Sequence, residues 1–117
     1  MRTYTFMDYK RLNNITGKDA VLNRRITSIF INELENHKKL LKDLNMQNLQ
    51  ELEFAIHKIR PSLVIFEMEY LMKSYEMIIS YKKGSDHVEE ISEIIERLMT
   101  DIDASIERLR QFILGIA

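Results

Sequence analysis

The sequence predicts an all-α protein, an up-and-down four-helix bundle with a short extra N-terminal helix. Three observations carry that expectation. Apolar residues recur three and four positions apart over long stretches, the spacing of one buried helical stripe. Only three glycines and one proline interrupt the 117 residues, so few places can hold a turn. The connections left over are short, and helices joined by short connections pack as antiparallel neighbours.

Residues near Phe6 to Asn14 read as a short amphipathic helix or lid, with Phe6, Met7, Tyr9 and Leu12 set among polar residues. It is expected to cover one end of the core. Ile15-Thr16-Gly17-Lys18-Asp19 reads as a turn, and Thr16 or Asp19 can cap the helix beyond it. That second helix runs to about Leu44, with Leu22, Ile26, Ile29, Phe30, Leu34, Leu40, Leu41 and Leu44 on its apolar side. Asn45 to Asn48 interrupt it, and Asn48 with Glu51 makes a capping box for the next start. The third helix buries Leu49, Leu52, Ile56, Ile59, Leu63 and Phe66. It is expected to bend or break near Pro61, whose missing N–H would otherwise bond the carbonyl of His57. A fourth helix runs from about Glu69 to Lys82, with Leu71, Tyr75, Ile78 and Ile79 inward, and Lys83-Gly84-Ser85 closes it. Asp86 and Glu89 form a second capping box. The last helix keeps its seam through Val88, Ile91, Ile95, Leu98, Ile102, Ile106, Leu109 and Ile113, about seven turns.

Composition narrows the function classes. With 45% hydrophobic and 30% charged residues, residues 1–117 make one soluble globular domain with a single core. A net charge of −1 gives no electrostatic reason to expect nucleic acid. The absence of cysteine excludes disulfides and thiolate metal sites. The longest apolar run, Leu63 to Phe66, is far too short to span a membrane, and the N-terminus carries no apolar signal region. A cytoplasmic protein without membrane partners is the default expectation. The seven methionines read as core filler.

One histidine stands apart. On the third helix His57 lies roughly 130° from the centre of the apolar stripe, so its imidazole is expected to face water or a partner. Glu53 and Phe54 precede it on that side, and Arg60, Pro61 and Val64 come after it. An exposed imidazole beside a fixed cation suits chemistry in which the ring carries a phosphoryl group. Phe54 can pack under the short N-terminal helix or form part of a docking patch. His37 and His87 lack such a context and read as ordinary surface histidines, although His37 flanks an apolar face.

The order Phe54-Ala55-Ile56-His57-Lys58-Ile59-Arg60-Pro61-Ser62 resembles the histidine-containing phosphotransfer (HPt) domain of bacterial multistep phosphorelays. In that family the histidine is followed by an apolar residue at +2, a lysine at +3, a glycine at +4, a serine or threonine at +5, and a leucine-glycine pair near +9 and +10. His57 matches the phosphoacceptor, Ile59 the apolar position, Arg60 the basic one, Ser62 the hydroxyl one and Phe66 the leucine. Pro61 stands at the first glycine and Glu67 at the second. Upstream, the short helix, the turn at Gly17 and the long helix with Phe30-Ile31-Asn32-Glu33-Leu34 resemble the family's first two helices.

The resemblance implies a helical bundle that accepts a phosphoryl group on His57 from a receiver-domain aspartate and passes it to another receiver. It implies response-regulator receiver domains and a hybrid histidine kinase as partners. It implies no cofactor in this chain, with Mg²⁺ held by the partner receiver, and no ATP-dependent kinase activity of its own. Arg60 is then the cation that stabilises transferring charge, Ser62 a supporting group, and Pro61 a small residue that leaves the ring accessible. Glu53 can accept a hydrogen bond from the second ring nitrogen, while Phe54 and Val64 offer docking surface.

Two other readings are open. The first is a degenerate module that binds a kinase or receiver without accepting phosphate. The second is a carboxylate-bridged metal enzyme using the i, i+4 pairs Glu33/His37 and Glu53/His57, although bundle di-iron sites use an i, i+3 spacing.

Overall fold

The computed structural model describes residues 9–43, 49–84 and 88–115, without the side chains of 81–89. The described chain is α-helical, with α1 Lys10–Thr16, α2 Ala20–Lys42, α3 Leu49–Ile65, a 3-10 turn Glu69–Leu71, α4 Met72–Gly84 and α5 Val88–Leu114. The helix α2 packs on α3 and α5, and α4 packs on the same two, so the four long helices close a ring in chain order. The pairs Glu35–Arg110 and Lys38–Asp103 run in opposite directions along α2 and α5. The architecture is the predicted bundle, with α1 laid against α2.

The core forms where the stripes meet. Leu49, Leu52, Ile56, Ile59, Leu63 and Phe66 are all buried, as their spacing predicts. Leu71, Tyr75 and Ile78 come from the α4 side, and Leu98, Ile102, Ile106 and Leu109 from α5. Ile79, Ile91, Ile95 and Ile113 are half-buried at the margins of the seams. Leu44, the two capping boxes at Asn48 and Asp86, the first part of the N-terminal helix and the Val88 side chain lie outside the described residues.

Among the described residues α1 begins at Lys10 and continues to Thr16, two residues past the expected end. Gly17 then turns the chain at φ 65, a conformation that lacks a Cβ penalty only for glycine. Asp19 caps α2 by accepting from the N–H of Leu22 at 2.9 Å.

Two expectations fail here. First, Leu22 and Ile29 of α2 are exposed, while Asn23 and Thr27 are buried. A polar network decides that orientation. The Thr16 hydroxyl donates to Asn23 Oδ1 (2.5 Å), and Asn23 Nδ2 donates to Asn13 Oδ1 (2.9 Å), so α1 holds the polar side of α2 inward. Second, of the bend or break expected near Pro61 the break does not occur, and α3 runs on to Ile65. Pro61 is exposed, about 40° around the helix from His57, so the carbonyl left without a donor lies on the wet side.

The chain turns six residues later instead. Met68 N donates to Leu63 O (2.8 Å) and Glu67 N to Val64 O (3.1 Å), with Glu67 at φ 57. This is a Schellman motif, in which Leu63 and Met68 supply the customary apolar contact positions and both are fully buried. Glu67 occupies the place where glycine is favoured.

Candidate functional site

Helical spacing alone places the side chains around His57. Glu53, Ile56, His57 and Arg60 project from one edge of α3, three or four residues apart. Glu76, Ile79 and Ser80 project from the facing edge of α4. Together they line an open groove of about 370 Å³ between the two helices. His57 is exposed, and its ring makes no hydrogen bond among the described residues.

Arg60 reaches the same groove, one turn beyond His57. Its Nη2 lies 3.7 Å from Glu76 Oε2. Both groups are largely solvated, and such pairs contribute little and exchange readily. The cation is present beside the imidazole, with a carboxylate facing it. Glu53 lines the groove from the other end.

The remaining residues singled out in the sequence lie outside the groove. Phe54 is 73% exposed and Val64 44%, on the same outward side of α3 as His57 and Pro61. Phe54 therefore does not pack under α1. The Val64 carbonyl accepts from Arg11 Nη1 at 2.9 Å, and the same nitrogen pairs with Glu69 at 2.6 Å. That grip ties α1 to the end of α3. Ser62 is half-buried and about 140° around the helix from His57, away from the groove walls.

Sequence reasoning missed the α4 wall of Glu76, Ile79 and Ser80. Its signal is the i, i+4 pair Glu76/Ser80 on the face opposite the buried Ile78. His37 is a correction. It is buried, not superficial, and its Nδ1 lies 2.7 Å from the Tyr75 hydroxyl in a T-shaped ring contact. The steps Leu34, His37, Leu41 have helical spacing and carry that signal. Desolvation pushes His37 down to about 4, and burial raises Tyr75. Both side chains are neutral across the physiological range.

Glu33 shares a small pocket between α2 and α3 with His37 and Lys58. Burial raises its carboxyl while Lys58 pulls it down. His87 lies outside the described residues. Among the described residues no group of three or more histidines and carboxylates converges on one point, so the metal-enzyme reading has no ligand set there. No described helix is long and apolar enough to cross a membrane.

Among the described residues, bundle and groove together present one imidazole without a hydrogen bond, near a cation, on an open helical face. No family model, curated protein or solved structure matches the chain.

Proposed function

We propose that this chain is a phosphotransfer module of the HPt type, in which His57 accepts a phosphoryl group from an aspartyl phosphate and donates it to another aspartate. The reading is supported by the exposed His57 ring on an open groove with Arg60 one turn away. A ring nitrogen attacks phosphorus in line, an N–P bond forms, and the O–P bond of the aspartyl phosphate breaks with its electron pair returning to the carboxylate. Arg60 moves from Glu76 to the transferring oxygens, where charge develops. Receiver domains supply the aspartates and hold the Mg²⁺ that shields the phosphoryl charge. A hybrid histidine kinase feeds the relay in the cytoplasm, and this chain brings neither cofactor nor kinase activity of its own. Glu53, Phe54, Pro61 and Val64 frame the docking face, with Ser62 in support from the helix flank.

Glu76 favours a second reading. A carboxylate 3.7 Å from Arg60, with Glu53 nearby, opposes a doubly negative phosphoryl group at the same place. A module that docks a receiver or kinase without accepting phosphate fits that arrangement.

Transfer from a phosphorylated receiver, read as intact mass under mildly basic conditions, separates the two. Wild type gains one phosphoryl group. His57→Gln gains none, with unchanged circular dichroism, because an exposed side chain contributes little to stability. Label persisting in that variant, or moving to His37 or His87, refutes the assignment. Unlabelled wild type that still binds the receiver establishes the docking module.

A further inference from the structure

Along α2 the polar and apolar sides are inverted at the N-terminal half. Inward, Asn23 and Thr27 are buried, and the Thr27 hydroxyl has no hydrogen-bond partner among the described residues. Outward, Val21 is 62% exposed and Ile29 56%, with Leu22 exposed beside them. Leu22, Ile26 and Ile29 are spaced i, i+4, i+7, and Ile26 is half-buried against the core as the floor of the stripe. Rolling α2 inward would bury more apolar surface, yet the Thr16–Asn23–Asn13 network holds it out. Such a stripe marks an interaction surface.

From this placement we infer that the N-terminal half of α2 docks an acidic amphipathic helix of a partner protein, an interaction separate from the His57 chemistry. Charge selects the occupant. Lys18, in the turn just before α2, and Arg25, one residue before Ile26, are both exposed. Lys18 is held at φ 64, a left-handed conformation unusual for lysine. Asp19, the one acid between residues 15 and 32, is engaged in capping α2. A second copy docked across a two-fold axis would set basic residues against basic residues. A bilayer needs a broad apolar face, and this stripe is one row wide. A helix laid along it places its own apolar row on Leu22 and Ile29 and its carboxylates near Lys18 and Arg25.

The test is a fluorescent designed helix of about five turns with leucine on one stripe and glutamate beside it, titrated against the full chain. Its twin carries lysine in place of each glutamate. The acidic helix binds, and the lysine twin binds about tenfold weaker or less. Ile29→Asp and Arg25→Glu each weaken the acidic helix about tenfold, with unchanged circular dichroism, and added salt weakens it further. Equal binding of the twins, no binding of the acidic helix, or variants that bind like wild type overturns the inference. Two other outcomes do so as well. One is Ile29-dependent adsorption of the chain to phosphatidylglycerol vesicles without helix binding. The other is a dimer that Ile29→Asp dissolves.

Discussion

His37 sits between α2 and α4 with Tyr75 on one ring nitrogen, whereas His57 lies open on α3. The same side chain therefore plays two parts. Burial holds His37 at about 4, and the unfolded side chain titrates near 6.5. Above pH 6.5 both states are neutral and stability is complete. As pH falls from 6.5 to 4, the unfolded chain takes up the proton first, and stability drops by about 1.4 kcal/mol per pH unit. The double variant His37→Leu/Tyr75→Phe removes both polar partners together, so its stability near pH 7 should stay within about 1 kcal/mol of wild type. Urea melts at several pH values should show that this variant loses that part of the acid slope. An identical slope in both proteins refutes the assignment. At the groove, Arg60→Ala should slow transfer to His57 and Arg60→Lys should slow it less, with melting unchanged. Glu76→Gln releases Arg60 from its 3.7 Å pair and should raise the transfer rate. A rate unaffected by both Arg60→Ala and Glu76→Gln removes this ion pair from the site.

Among the helices, α3 is defined by what it tolerates in its interior and how it ends. Pro61 leaves the His57 carbonyl without its helical donor, yet the helix continues to Ile65. Pro61→Ala restores the N–H, and chemical denaturation should show a gain of about 1 kcal/mol or more, below the full cost of about 3 kcal/mol for proline in a regular helix. Transfer by the Ala, Gly and Leu variants at equal folded fraction then tests access to the ring, since only leucine is large enough to overhang His57. Glu67 ends the helix at φ 57, with one carboxylate oxygen buried and without a hydrogen-bond partner among the described residues. Glycine removes both the left-handed strain and the orphaned oxygen, at some cost in unfolded-state entropy. Glu67→Gly should therefore stabilise the chain by about 1 kcal/mol. A destabilised Glu67→Gly would show that its carboxylate contributes more than its backbone strain costs.

A string of aromatic rings joins the elements at one end of a body measuring 48 × 32 × 19 Å. Tyr9 stacks on Phe112 of α5 at 4.1 Å and meets Phe66 edge-on at 6.4 Å, and Phe66 stacks on Phe30 of α2 at 4.5 Å. Burial, with a smaller contribution from Tyr70, pushes the Tyr9 hydroxyl up to about 12. Phe66 thus links Tyr9 at the start of α1, α2 and the corner after α3. Phe66→Ala should cost about 3–5 kcal/mol, and thermal melts followed by circular dichroism and by tyrosine fluorescence should shift together across the molecule. Separate shifts would mean that α1 unfolds independently of the four long helices.

Local spacing in the chain is enough to set the helices, their order and the outward placement of His57. Those properties depend on apolar positions within one segment, and the α3 stripe from Leu49 to Phe66 is buried without exception. The Asp19 cap was legible for the same local reason. Packing settled whatever depends on neighbours. Three polar side chains from two helices turned α2, exposing Leu22 and Ile29, which no spacing within α2 could reveal. Tyr75, thirty-eight residues away, made His37 a core residue. The α4 wall brought Glu76 to Arg60, since an ion pair between helices depends on how those helices pack. Pro61 stayed inside a helix because its unmatched carbonyl lies on a face that the fold leaves wet, and the turn moved to Glu67, where Leu63 and Met68 are buried together.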